Sequence, residues 1–312
     1  MTRSRALLKQ AAVLVLLLLT ACQEATPTPG QPELVSALGR THFAQEDTAG
    51  SIEDADSVLR AQPDDIDALL SAAGARAAVW RYHEAIALYD SAVALHPTDW
   101  RPWRFRGHRH ISLRQLDAAL QDLERARQLD SLSFDVAYHL GLARYLKGDW
   151  ESAADEYARC MRLAESPDAP AVSAALPTGF RACTNVGVVD NDRVAITEWR
   201  WRALRRAGRI DEAMQLLDSI DADMDIGTNA SYHALLLMHK GERNVEQVFD
   251  TTVVSEQFET IGYGVAVHWL TEGDTARALE LMRRIVTRGD RWQSFGFIAA
   301  ESDLLRLGGD GN

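Results

Sequence analysis

The chain has 312 residues, of which 33 are Lys or Arg and 45 are Asp or Glu, so its formal net charge at pH 7 is −12. An acidic surface repels phosphate backbones, and affinity for nucleic acid comes mainly from neutralising phosphates. Outside one basic stretch at residues 103–112 the sequence offers no compensating basic face. The composition therefore argues against a nucleic-acid-binding protein.

The first 21 residues have the features of a secretory signal. A positively charged start precedes the apolar run AAVLVLLLLTA, which is too short to indicate a membrane-spanning helix. Residues 19–22 read LTAC and resemble the bacterial lipobox, in which a small residue precedes a cysteine that is acylated and becomes the N-terminus. We therefore expect residues 1–21 to be a lipoprotein signal peptide and Cys22 the lipidation site. The alternative is an ordinary cleaved signal with an incidental cysteine.

The residues after Cys22 resemble a tether. QEATPTPGQP is rich in Pro, Thr and Gly and has no apolar periodicity, which is typical of a solvated linker. We assign residues 22–45 to the lipidated N-terminus, the linker and an irregular lead-in. Gln23, where some lipoproteins carry Asp, favours export to the outer membrane, facing the periplasm. Loss of residues 1–21 removes three positive charges, so the net charge changes from −12 to −15.

The chain then repeats itself with a step of 34 residues. Rows that begin at Ile66, Trp100 and Phe134 align small residues with small ones and bulky residues with bulky ones. The aligned sets are Ala73, Gly107 and Gly141; Ala85, Ala119 and Ala153; Tyr89, Leu123 and Tyr157; and Ala92, Ala126 and Cys160. Apolar residues three and four apart predict an amphipathic helix in each half-row. Each row is therefore a pair of helices, which gives three repeats at 66–99, 100–133 and 134–167.

These residues resemble the tetratricopeptide repeat, a pair of antiparallel helices. The resemblance implies an all-α helical solenoid in which stacked pairs bury one another's apolar faces. SIEDADSVLRAQP adds a lone helix before the first clear row, so the N-terminal block covers residues 46–167. The order of later segments also resembles a group of bacterial tetratricopeptide proteins, and that likeness implies no enzymatic activity.

The strict step ends after residue 167. Residues 168–193 are rich in Pro, Gly and small residues and predict an irregular insertion between two repeat blocks. Weaker helix pairs and a final capping helix occupy residues 194–307, and 308–312 form a tail. Cys160 and Cys183 are candidates for a disulfide in an exported chain, and buried free thiols are the alternative.

The basic stretch WRFRGHRHIS lies on the first helix of the second repeat. In repeats of this type that helix lines the concave groove, and the resemblance places six residues there: Arg101, Arg104, His108, Asp135, Tyr138 and Tyr145. Arginine forks and tyrosine rings would suit an extended peptide or a carboxylate-bearing tail. The carboxylate clamp of some eukaryotic adaptors is not expected, because Leu70 and Gly74 stand at the paired positions of the preceding repeat.

Several other cations fall near the expected interior, among them Arg106, Arg109 and Arg144. Buried charge is costly unless it is paired. We expect Asp122 or Glu124, on a neighbouring second helix, to form a structural ladder with them. Ligand contact is the alternative.

Metal, cofactor and catalytic sites are not expected. His108 and His110 are two residues apart and point in different directions on a helix, and no nucleophile motif is present. The sequence predicts a non-enzymatic scaffold that binds an envelope protein or peptide and reaches the membrane through its lipid. The alternative is a small-ligand carrier with a pocket between the two repeat blocks, covered by residues 168–193.

Overall fold

The computed structural model describes residues 31–176, 180–187, 189–250, 257–288 and 290–308, and every structural statement below applies to these. The predicted signal peptide and Cys22 lie outside the described residues, as do all residues of the predicted tail except Gly308.

The described chain is almost entirely helical, with one small hairpin at its start. The strands β1 (Leu34–Val35) and β2 (Thr41–His42) pair in antiparallel fashion, with Leu34 opposite His42. The helices are α1 (Ser51–Ala61), α2 (Ile66–Ala78), α3 (Tyr82–Leu95), α4 (Trp100–Ser112), α5 (Leu116–Leu129), α6 (Phe134–Lys147), α7 (Trp150–Ala164), α8 (Ala169–Ala174), α9 (Asp190–Arg206), α10 (Ile210–Leu217), α11 (Ala230–Lys240), α12 (Val245–Val248), α13 (Phe258–Thr271), α14 (Thr275–Arg288) and α15 (Phe295–Leu307). A 3-10 turn, Cys183–Asn185, lies between α8 and α9.

The 34-residue step determines where the helix pairs begin. Asp65, Asp99 and Ser133 stand one step apart, and each accepts a backbone N–H of the helix that follows, α2, α4 or α6. Such a cap contributes about 1 kcal/mol to helix stability. The pairs α2–α3, α4–α5 and α6–α7 fall within the three sequence rows.

Small residues let the paired helices approach closely. A Cβ built on Gly107 would lie 2.8 Å from Cγ of Leu123, and one on Gly141 would meet the ring of Tyr157. Protein interiors are packed too densely to admit such overlap. The alignment of small with bulky positions therefore reflects direct contact between the two helices of a pair.

A second row of equivalent positions forms the turns within the pairs. Trp80, Arg114 and Gly148 stand one step apart, and all three have positive φ, at 63°, 60° and 85°. We call these three residues the turn row. Glycine adopts this conformation without strain, but Trp80 and Arg114 have a Cβ that disfavours it. Contacts elsewhere in the fold must therefore hold both residues in place.

The segment after α7 differs from the predicted irregular insertion. It contains α8 and the 3-10 turn, and α9 begins at Asp190, inside the range assigned to the insertion. Cys160 and Cys183 form a disulfide with their Cα atoms 4.9 Å apart. The backbone N–H of Cys183 donates to Leu132, and that of Phe134 donates to Arg181. These backbone bonds hold the segment against the start of α6, and the disulfide joins it to α7.

The C-terminal half folds back onto the first helices of the N-terminal repeats. The hydroxyls of Tyr138 and Tyr232 are 3.2 Å apart, and those of Tyr145 and Tyr263 are 2.8 Å apart. Trp199 on α9 packs edge-on against Tyr145. This cluster of rings joins the two halves into one core.

Helix α15 and the residues before it lie along the turn row. Trp80 packs edge-on against Trp292, Arg114 pairs with Glu301 at 2.8 Å, and a Cβ on Gly148 would meet Arg306. These contacts explain how the two strained turn residues are held.

The hairpin completes a closed arrangement. His42 stacks on Trp292 with ring centroids 5.1 Å apart, and Arg40 donates to the hydroxyl of Thr287 at 3.3 Å. The hairpin therefore contacts the end of α14 and Trp292, which lies between the last two helices.

Candidate functional site

The concave face is open along α2 but filled along α6. An added Cβ on Gly74 would have nothing within 4 Å. By contrast, Tyr138 and Tyr145 are only 8% and 2% exposed. The prediction that these two tyrosines line an open groove is therefore wrong for this structure, because the C-terminal half covers them.

Arg101, another of the predicted groove residues, lies at the more accessible end of α4. Its guanidinium pairs with Asp99 at 2.6 Å and with Asp67 at 2.6 Å, and about a third of its side chain is exposed. These bonds, Asp99 first, raise the pKa of Arg101. The residue is thus well paired, and it links α4 to the start of α2.

Arg104 is less well satisfied. It reaches Asp135 at 3.3 Å, and that carboxylate also accepts from Arg181 at 2.7 Å. Its Nε is buried with no hydrogen-bond partner among the described residues, and its guanidinium lies 4.7 Å from the ring centre of Phe105. Burial lowers the pKa of Arg104, and Asp135 only partly offsets this.

His108 and His139 meet at the boundary between the open and filled parts. Their ring centroids are 4.3 Å apart, and Phe295, at the start of α15, packs on both. His139 donates through Nδ1 to the carbonyl of Asp135 at 2.6 Å. Burial, followed by nearby arginines, lowers the pKa of both histidines well below the usual value, so both are neutral at pH 7.

Arg109 is a candidate binding residue that was not among the six residues predicted to line the groove. Its guanidinium lies 4.9 Å from the ring centre of Tyr82, and no carboxylate in the described part of the chain pairs with it. Burial lowers its pKa, and only Tyr82 and Tyr89 counteract that effect. No acidic residue stands within four positions of Arg109, but the same is true of the paired Arg106, so the sequence held no signal that separates the two. We call Arg104, His108, Arg109 and His139 the basic cluster.

The predicted ladder of paired cations is confirmed at Arg106 and Arg144. Arg106 donates to both oxygens of Asp122, at 2.8 and 2.6 Å, and Arg144 pairs with Glu124 and Glu156 at 3.5 Å. Charges on second helices thus compensate these two arginines. Arg109 is the exception among the three cations singled out from the sequence.

A separate cleft of about 430 Å³ lies at the start of α9. Its walls are Val189, Asp190, Asn191, Asp225, Gly227 and Thr228. The cleft is formed by α9 and the loop before α11, whereas the carrier alternative requires a deep pocket between the two repeat blocks. At that boundary the described residues pack directly, through the tyrosine pairs of α6. In the described part of the chain, no group of three or more His, Cys, Asp or Glu side chains is placed to hold a metal ion.

Comparisons with known proteins agree with this architecture. A sequence model of the family described as Tetratricopeptide repeat matches residues 36–99 and 106–170. No curated protein matches the sequence. A tetratricopeptide repeat protein from Parabacteroides merdae ATCC 43184 is 14% identical and has a TM-score of 0.50, with 82% of this chain and 93% of that chain covered.

Two further solved structures are similar at lower scores. YrrB, titled as a TPR protein with an unusual peptide-binding site, is 14% identical with a TM-score of 0.45, and the match covers 78% of this chain and 96% of that one. MamA is 18% identical with a TM-score of 0.42, and the match covers 67% of this chain and 90% of that one.

The protein is thus an all-α helical solenoid, and residues 36–99 and 106–170 match tetratricopeptide repeats. Repeats of this kind are typical of non-catalytic scaffolds for protein–protein interaction. Among the described helices, none combines the length and the hydropathy that crossing a bilayer requires.

Proposed function

We propose that the protein is a non-enzymatic scaffold, held at the bacterial cell envelope by a lipid on Cys22, that binds an extended segment of an envelope protein. The lipobox-like LTAC and the Pro-rich tether support the anchor. Gln23 favours the outer membrane and an orientation toward the periplasm. Diacylation suits this role, because a single acyl chain gives only marginal membrane binding.

The open part of the concave face is the observation that carries the proposal. Around Gly74 on α2 this face lacks the cover that α15 and α11 provide along α6. Leu70, Ala77 and Phe105 supply partly buried apolar area there, next to the arginines of the basic cluster. An extended peptide uses such a surface well, because apolar contacts add affinity and polar groups fix its register.

Crosslinking in living cells tests the partner site. A photoreactive residue in place of Gly74 would project into the open space, whereas one in place of Leu95, half exposed at the end of α3, is the matched control. We expect a discrete crosslinked protein from position 74 that position 95 does not capture. Identical products at both positions would contradict binding on the concave face.

The lipid anchor has its own test. Replacing Cys22 with Ser removes the acylated sulfur, so we expect incorporation of labelled fatty acid to stop and the protein to move from the membrane fraction to the soluble fraction. An unchanged distribution would favour the ordinary signal peptide.

A further inference from the structure

The charges around the basic cluster do not balance. Arg104 and Arg181 share Asp135, and Arg181 also pairs with Asp192, so these two cations and two carboxylates cancel. Arg109 adds a positive charge for which no carboxylate pairs in the described part of the chain. Because both histidines of the cluster are neutral at pH 7, one positive charge remains.

Packing alone does not account for Arg109. Partial burial of an unpaired charge costs free energy, and the contact with the ring of Tyr82 recovers only part of it. A methionine would fill the same space between α3 and α4 without that cost. Arg106, one turn nearer the N-terminus on the same helix, shows how this fold pairs a cation when the role is structural.

The basic cluster is also within reach of a ligand. Arg104, His108 and Arg109 are each only partly buried, although loss of hydration lowers the pKa of all three. Each of the three side chains therefore retains some exposed surface that a ligand can contact. Phe105, between the two arginines in the sequence, stacks on Tyr89 with ring centroids 5.8 Å apart, and space is open at Gly74 on α2.

We propose that Arg109, together with Arg104, binds a carboxylate of the partner segment. The inference rests on the proposed function and names the chemistry of the partner. A carboxylate carries the single negative charge that the cluster lacks, and guanidinium forks bind it through paired charge-assisted hydrogen bonds. A phosphate dianion would instead leave a net negative charge in a partly dehydrated place.

The first test compares the thermal stability of two variants. In Arg109→Met we expect the Tm to stay the same or to rise, because an unpaired charge is removed. In Arg106→Met, the control on the same helix, we expect the Tm to fall, because Asp122 loses its partner. If both variants lose the same number of degrees, Arg109 is structural and the proposal is overturned.

The second test uses an array of twelve-residue peptides of random neutral sequence in three arms. One arm has a central Glu and an amidated C-terminus, the next has Gln in place of Glu, and the last has Gln and a free C-terminal carboxylate. We expect Kd for the unmodified protein to be about tenfold lower, or more, for Glu than for Gln peptides. A preference for the third arm would identify a chain terminus as the carboxylate source.

Arg109→Met should abolish the preference, while Arg162→Met, at an exposed arginine of α7, should retain it. Equal binding of Glu and Gln peptides by the unmodified protein would overturn the carboxylate site but leave the concave-face scaffold intact. If no peptide binds in any arm, both proposals fail.

Discussion

Two neighbouring arginines of one helix have different environments in the fold. Arg106 and Arg109 are three residues apart on α4, and both fall where a buried cation is unexpected. Arg106 forms a salt bridge with Asp122, which is only 3% exposed, whereas Arg109 lies over the ring of Tyr82. This difference could not be predicted, because it depends on which side of α4 each neighbouring helix occupies.

The pairing of Arg106 leads to a prediction. Arg106→Met leaves Asp122 buried without its main partner, and breaking such a pair costs about 3–5 kcal/mol. Urea denaturation should therefore show a much lower unfolding midpoint with an unchanged slope. The milder change Asp90→Asn, which removes only the exposed partner of Arg106, should cost less than about 1 kcal/mol.

His239 predicts how stability depends on pH. Its ring is stacked on Trp201 at 3.4 Å and its side chain is fully buried, and burial lowers its pKa to about 4, opposed by Glu198. Because the unfolded chain binds the proton with a pKa near 6.5, the unfolded state takes up protons first as pH falls. Stability should therefore decrease between pH 6.5 and pH 4, by roughly 3 kcal/mol from this residue.

The measurement is the free energy of unfolding at several pH values for the unmodified protein and for His239→Gln. Glutamine does not titrate, so the variant should show a shallower decline over this range. Parallel curves for the two proteins would mean that His239 is already protonated in the fold or exposed.

At the scale of elements, the helix pairs could be predicted from the sequence, whereas the packing of the pairs against one another could be predicted only in part. The step of 34 residues sets caps, turns and close contacts, all of which are local. The covering of α6 could not be predicted, because Tyr232 and Tyr263 are about a hundred residues from Tyr138 and Tyr145 and follow no shared period. Tyr138 and Tyr145, two of the predicted groove residues, are buried as a result.

The turn row gives a prediction at this scale. Arg114→Gly relieves positive-φ strain of about 1 kcal/mol but leaves Glu301, 2% exposed, without its charged partner. We expect a net loss of about 2–4 kcal/mol, measured by denaturant unfolding. Arg114→Gly combined with Glu301→Leu should regain most of the loss. Failure to regain it would show that the lost contacts of Arg114 with Trp292, and not the unpaired Glu301, cause the destabilisation.

At the scale of the whole molecule, contacts between the first and last elements change how the solenoid should unfold. Open repeat arrays are nearly one-dimensional, and each pair depends mainly on its neighbours. Here the hairpin stacks on Trp292, and Trp292 together with α15 contacts all three turns of the N-terminal repeats. Loss of either end therefore removes contacts from the other.

We predict that the two halves unfold in one cooperative transition. Fluorescence of the tryptophans, which lie in both halves, and far-ultraviolet circular dichroism should give the same midpoint. His42→Ala with Trp292→Ala removes the stacked pair, and it should lower the midpoint or split the transition. Two separate transitions in the unmodified protein would contradict the prediction.

The contacts that Trp292 and α15 make along the turn row also restrict how many helix pairs this architecture can contain. Open arrays can gain or lose a unit at any internal boundary, since every boundary is alike. Here Trp292, Glu301 and Arg306 must meet Trp80, Arg114 and Gly148 in register. Duplication of a helix pair would displace at least one turn residue from its partner by the length of one repeat. The contacts of Trp292 and α15 therefore fix the number of repeats that they span at three.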